Sequence, residues 1–207
     1  MTLRVCVGAV ATLIALGALA PAARAGAPAE RLRQFFGAAN ALIADEATAE
    51  RPQEKLESIR RLVRGLFGFR EAAEHALGAE WGARTPAERA EFVALFTEMA
   101  ESSFVSAIAS RARLDGGARV TVLDETEAAD AATVRTAVAA KMGGEMRVDY
   151  RMRLLGGRWV VSDVAVDGVS LMDNYRAQVR RVVERSSYTG LLSEMRARAR
   201  AAPGGAG

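Results

Sequence analysis

The chain has 207 residues and a formal net charge of +3, and half of its residues are apolar, which suits one domain with its own core. Its one cysteine, Cys6, lies close to the start, so the folded body can hold no disulfide, thiolate metal site or cysteine nucleophile. Of the 28 basic residues all but Lys55 and Lys141 are Arg, and no basic stretch is interleaved with aromatics, which argues against a nucleic-acid surface.

The first segment reads as a secretory signal. Arg4 precedes an apolar run from Val5 to Ala20, and Ala23-Arg24-Ala25 fits the small-x-small cleavage pattern. Residues 1–25 are therefore expected to be a signal peptide cut after Ala25, so the mature protein is expected to be secreted. The run is shorter than the ~20 residues of a spanning helix. Cys6 precedes the run instead of following it, so a lipoprotein anchor is not expected. Cleavage also removes Arg4 and Arg24, and the formal charge falls from +3 to +1.

Helical spacing opens the mature chain. Leu32, Phe35, Phe36, Ala39, Leu42 and Ile43 predict a helix over 29–47. Pro52 suits the first turn of a second helix, with Leu56, Ile59, Leu62, Val63 and Leu66 on one stripe. Phe67-Gly68-Phe69 interrupts it, and a short third helix is expected over 71–77. Thr85-Pro86-Ala87-Glu88 is a capping box with Pro at the first helical position. The helix it starts should run to about Arg111, with Phe92, Leu95, Phe96, Met99, Phe104 and Ile108 inward, and Asp115-Gly116-Gly117 should end it.

The period then changes to two. Val120 and Val122 begin a first strand, and Val134, Thr136, Val138 and Ala140 form one face of a second. Gly143-Gly144 reads as a hairpin turn. In the third strand Met146, Val148, Tyr150, Met152 and Leu154 alternate with Arg147, Asp149, Arg151 and Arg153, as a sheet with one solvated face requires. Gly156-Gly157 is a second hairpin turn, and residues 158–166 are the fourth strand. Asp167-Gly168 is turn chemistry. Ser170 and Asp173 cap a helix over 171–185, with Leu171, Met172, Tyr175, Val179, Val182 and Val183 inward. Gly190 separates a last helical segment over 191–201, and residues 203–207 should be disordered.

These elements predict an α+β domain over 26–202: a helical half packed on a curved four-stranded antiparallel sheet, with C-terminal helices. The expected shape is the cone of nuclear-transport-factor-like folds, whose apolar interior can serve as a pocket.

Enzyme chemistry has little footing, and no cofactor is expected. His75 is the only histidine, so a histidine zinc site is excluded, and no Gly-x-Ser-x-Gly elbow occurs. The enzyme alternative is an isomerase or hydrolase using Tyr150 with Asp163 inside the cone. Arg176, Arg180, Arg181 and Arg185, with Arg196, Arg198 and Arg200 beyond, read as a solvated face or as a surface for anionic headgroups or an acidic partner.

Several motifs, in order, resemble the MlaC family of periplasmic phospholipid carriers, also called toluene-tolerance auxiliary proteins. They are Ala76-Leu77-Gly78 followed by Trp81, then Thr85-Pro86-x-x-Arg89-x-x-Phe92, then Val148-Asp149-Tyr150-Arg151. Gly157-x-Trp159-x-Val161-x-Asp163-Val164 and Gly168-Val169-Ser170-Leu171-x-x-Asn174-Tyr175-Arg176-x-Gln178 complete the series, which spans roughly residues 30 to 200. Val179 stands where the family pattern has Phe, and residues 113–117 lack an expected aromatic. The resemblance implies a non-enzymatic carrier whose cargo is a phospholipid, or a hopanoid as in relatives of the family. The implied partners are an inner-membrane ABC transporter with an MCE-domain subunit and an outer-membrane lipoprotein complex, with no nucleic acid. The implied role is outer-membrane lipid asymmetry. The lipid-lining residues expected on this reading are Phe92, Phe96 and Met99 of the helical roof. From the sheet come Val134, Val138, Met146, Val148, Tyr150, Met152, Trp159 and Val161.

Overall fold

Capping and apolar stripes set the helices of the computed structural model, which describes residues 28–45, 51–115, 119–139 and 145–201, and side chains other than those of 107–115 and 201. The expected signal peptide, the turn glycines Gly116, Gly117, Gly143 and Gly144, Ala140, the Ile108 side chain and the tail lie outside these. Helix α1 (Pro28–Ala44) buries Leu32, Phe35 and Ala39. Helix α2 (Pro52–Leu66) starts on its proline and buries Ile59, Val63 and Leu66. Helix α3 (Phe69–Leu77) begins two residues before the expected Glu71, because the buried Phe69 belongs to its first turn. A single 3₁₀ turn (Gly78–Trp81) leads to α4 (Pro86–Asp115).

The α4 start is the capping box read from the sequence. The Thr85 amide donates to Glu88 Oε2 at 2.8 Å, and the Glu88 amide donates back to Thr85 Oγ1 at 3.3 Å. The Thr85 amide and hydroxyl hold the Glu88 carboxyl below its ordinary value. Arg89 secures the preceding turn. Its Nε donates to the Trp81 carbonyl at 2.8 Å, and its guanidinium lies 5.2 Å from the Trp81 ring centre. On the α2 side of α4, Glu101 is buried yet charged, and Arg60 Nε and Arg64 Nε each donate to it at 2.8 Å. That hydrogen bond, with the Glu101 charge, raises the Arg64 pKa.

The strands are β1 (Val120–Ala128), β2 (Ala131–Ala139), β3 (Glu145–Leu155), β4 (Arg158–Val166) and β5 (Val169–Ser170), in spatial order β1-β2-β3-β4-β5 and all antiparallel. The sheet has five strands and not the four expected. Asp167 (φ 48°) and Gly168 (φ 83°) make a two-residue turn, and Val169 and Ser170 then pair with Val166 and Ala165. Two residues carry no readable period, so the fifth strand was invisible to alternation.

Register puts the apolar residues on one face. Val138 stands opposite Met146, Val134 opposite Tyr150, and Met152 opposite Val161. The other face carries ion pairs, including Arg151 with Asp163 and Arg153 with Asp130, both at 2.7 Å. The helices lie on the apolar face. Phe36 of α1 meets the Tyr150 ring edge-on at 6.0 Å. Between α2 and α3, Phe67 forms a parallel bridge with Val161, and the Gly68 amide donates to the Val161 carbonyl at 2.9 Å. A Cβ at Gly68 would come within 2.9 Å of Val160 Cγ2, so this close approach needs glycine.

Helix α5 (Leu171–Ala201) is two helices joined at Ser187 (φ 79°, ψ 169°). The break expected at Gly190 falls three residues earlier. The Gly190 amide donates to Ser187 Oγ at 3.4 Å, so Ser187 caps the second half while Gly190 stays helical. At the start of α5, Ser170 Oγ accepts from the Asp173 amide at 3.0 Å, as expected. Asp173 itself turns to His75 Nε2 of α3, 3.0 Å away, and that contact first, with Arg176 and Arg151 also near, lowers its pKa.

Candidate functional site

Two amphipathic faces meet across α4 and α5 without filling the space between them. The groove they leave has a volume of about 460 Å³. From α4 come Phe96, Met99 and Ala100, one turn apart along one face. The first half of α5 supplies Tyr175, Val179 and Val182, and the second half supplies Leu191 and Met195. Phe96 and Tyr175 meet edge-to-face at 5.7 Å and form the floor. Arg181, Arg185, Glu194 and Arg198 stand along the rim, with Gln178, Ser102 and Ser103.

The wall made by the second half of α5 is fastened by side chains. The Tyr188 hydroxyl donates to the Glu88 carbonyl at 2.8 Å, and the Arg84 guanidinium lies 4.7 Å from the Tyr188 ring centre. Burial, with Glu88 nearby, raises the Tyr188 pKa. Arg196 Nε donates to Glu91 Oε1 at 2.9 Å, and Arg185 pairs with Glu194 at 2.8 Å across the Ser187 break.

The residues expected to line a lipid site fall into two groups. Phe96 and Met99 line the groove. Phe92 is fully buried directly behind, its ring stacked 6.0 Å from that of Phe96. Val134, Val138, Val148, Tyr150, Met152, Trp159 and Val161 are buried together on the inner face of the sheet, with Met146 partly buried beside them. The first seven belong to the same core cluster as Phe92 and Phe96, Met146 packs against that cluster, and none of the eight lines the groove.

Two polar groups in that cluster have no hydrogen-bond partner among the described residues. The Tyr150 hydroxyl makes no hydrogen bond to any described residue, and burial pushes its pKa up. The buried Trp159 Nε1 also lacks one. The enzyme alternative would need Tyr150 and Asp163 to meet. Register instead sets Tyr150 opposite Val164 and Asp163 opposite Arg151, which puts them on opposite faces of the sheet. Asp163 is occupied, accepting from Arg151 and Ser170 Oγ at 2.7 Å and from the Met172 amide at 3.1 Å. Among the described residues no group of three or more His, Cys, Asp or Glu could hold a metal, and no helix is long and apolar enough to cross a membrane.

Tyr175, Val179 and Val182 were legible as a buried stripe, but not as one side of an open groove. Leu191 and Met195 were legible only as a separate helical segment. The signal that joins them is the stripe's continuation, one turn at a time, past Ser187.

Comparison with known proteins gives a family and a fold. The family model described as MlaC protein matches residues 36–197. No curated protein matches the chain. A phospholipid-binding protein from Ralstonia solanacearum, solved in complex with a phospholipid, superposes with a TM-score of 0.71 at 19% identity. The match covers 84% of this chain and 97% of that one, and it is a likeness of fold.

Proposed function

Because this chain belongs to the MlaC family, we propose that it is a periplasmic phospholipid carrier whose acyl-chain site is the groove between α4 and α5. The observation that carries the reading is the apolar floor of that groove, open beside a core of matching character. An aqueous carrier must keep acyl chains out of water, and each buried methylene contributes about 0.8 kcal/mol. Small-molecule pockets run to about 300–1,000 Å³, and the groove's 460 Å³ lies in that range, enough for one acyl chain but not for two.

The work needs no covalent step and no cofactor. After loss of residues 1–25 the protein takes a phospholipid from one membrane complex and delivers it to another. The partners are an inner-membrane ABC transporter with an MCE-domain subunit and an outer-membrane lipoprotein complex. The traffic maintains outer-membrane lipid asymmetry. The second acyl chain is accommodated by displacing the second half of α5, which is held by core packing of Leu191, Leu192 and Met195 and by side-chain contacts to α4. The sheet residues Val148, Tyr150 and Met152, buried in the core, would line the enlarged site.

Protein purified from a periplasmic extract should begin at Gly26 and release phospholipid on organic extraction, identified by mass spectrometry. A hopanoid in the same spectrum would change the cargo and keep the carrier. Protein that is repeatedly lipid-free and takes up nothing from liposomes would overturn the proposal.

A further inference from the structure

We propose that the groove selects lipids with a net-negative headgroup, and that Arg181 and Arg198 are the residues that select them. The inference rests on the lipid-carrier reading above and adds the headgroup class to it. Seven arginines lie along α5. Arg176 pairs with Asp173, Arg180 with Glu184, Arg185 with Glu194 and Arg196 with Glu91, while Arg200 donates to the Arg196 carbonyl. Arg181 and Arg198 have neither a hydrogen bond nor an ion pair among the described residues. Both stand on the rim of the groove, one on each side of the Ser187 break.

The charges on that rim do not balance. Arg181, Arg185 and Arg198 face one carboxylate, Glu194, which Arg185 engages at 2.8 Å. Two guanidinium groups remain for a ligand. A planar guanidinium matches two phosphate oxygens at once, which a point charge does not. A phosphodiester with an uncharged alcohol beyond it supplies an anion and nothing else. A zwitterionic headgroup brings its own cation to a rim that has no free carboxylate to receive it. Phe96, Met99, Val179 and Met195 lie below the rim and take the chain, so the ligand is an amphiphile and not free phosphate.

Vesicles holding equal phosphatidylglycerol and phosphatidylcholine with identical acyl chains offer both lipids from one surface of one charge. Delipidated protein incubated with them is read by native mass spectrometry. Wild type should carry phosphatidylglycerol about tenfold over phosphatidylcholine, about the discrimination expected from two partly solvated ionic contacts. The R181Q/R198Q variant should lose that preference and keep its phosphatidylcholine, with an unchanged melting curve because both side chains are exposed. R180Q, whose arginine is paired with Glu184 and is not among the groove's lining, should keep the preference.

Equal uptake by wild type would overturn the headgroup inference alone, as would a preference that survives in R181Q/R198Q. Inorganic phosphate competing as well as phosphatidylglycerol would overturn the lipid as the source of the anion. Loss of both lipids together with loss of vesicle co-sedimentation would assign the two arginines to membrane docking and overturn their selective role. Wild type that takes up neither lipid would overturn the carrier reading, and this inference with it.

Discussion

Monoacyl lipids of increasing length provide a ruler for the groove. A water molecule takes about 30 Å³ of liquid and a methylene is of similar size. A volume of about 460 Å³ therefore holds about fifteen methylenes at that density. Full burial of one methylene contributes about 0.8 kcal/mol, and a groove open along one side captures about half of that. Affinity should then rise about twofold per added carbon, so lysophosphatidylglycerol with a fourteen-carbon chain should bind about fifteenfold tighter than one with ten. Beyond about sixteen carbons the added methylenes find no more apolar wall and the series should flatten. The assay is displacement of a fluorescent fatty acid, with each lipid below its micelle concentration. A flat series from ten to fourteen carbons would refute the apolar groove as the chain site. A slope that continues undiminished past eighteen would refute its length.

Three further outcomes follow from the packing. Glu101→Gln removes the charge held by Arg60 and Arg64, and because Arg64 is 60% exposed the loss should be about 1–3 kcal/mol, less than for a fully buried pair; an unchanged urea midpoint would contradict the clamp. Ser187→Gly relieves a backbone conformation that favours glycine and should raise the melting temperature by about 2–4 °C; a lowered one would mean that the Ser187 cap outweighs its strain. Asp173 has a folded pKa held below its ordinary 3.8, so its contribution is present above that value and is lost as pH falls through the folded pKa. In Asp173→Asn the acid limb of a stability-versus-pH curve should therefore be shallower below pH 3.8, and an identical limb would refute the His75 contact as the cause.

What the sequence made legible was local. Pro52 and the Thr85-Glu88 box marked helix starts because a cap is decided within four residues. Alternation from Met146 to Leu154 marked the inner face of β3 because side chains in a strand alternate whatever they meet. The fifth strand escaped because two residues have no period. The Ser187 break escaped because a serine cap and a glycine three residues later read as a stop at the glycine. The groove escaped for a different reason. Periodicity tells which face is buried, and Tyr175 and Val179 were correctly read as facing inward. It does not tell whether the opposing face closes upon them. That depends on contacts such as Tyr188 with Glu88 and Arg196 with Glu91, which are 100 and 105 residues apart in the chain.

The seam at Gly68 has a mechanical consequence. The helical layer joins β4 there through a main-chain hydrogen bond and a parallel bridge, in a space that admits no side chain at Gly68. Prising that layer off the sheet would tear backbone pairing and expose the core. Residues 188–201 are fastened differently: Tyr188, Leu191, Leu192 and Met195 pack into the core, one phenol and a few arginine contacts add to them, and the segment begins beside a residue that departs from helical geometry. The molecule thus has one seam closed by main-chain pairing and one arm held by side-chain packing alone, so side-chain substitutions can loosen the arm without touching the seam.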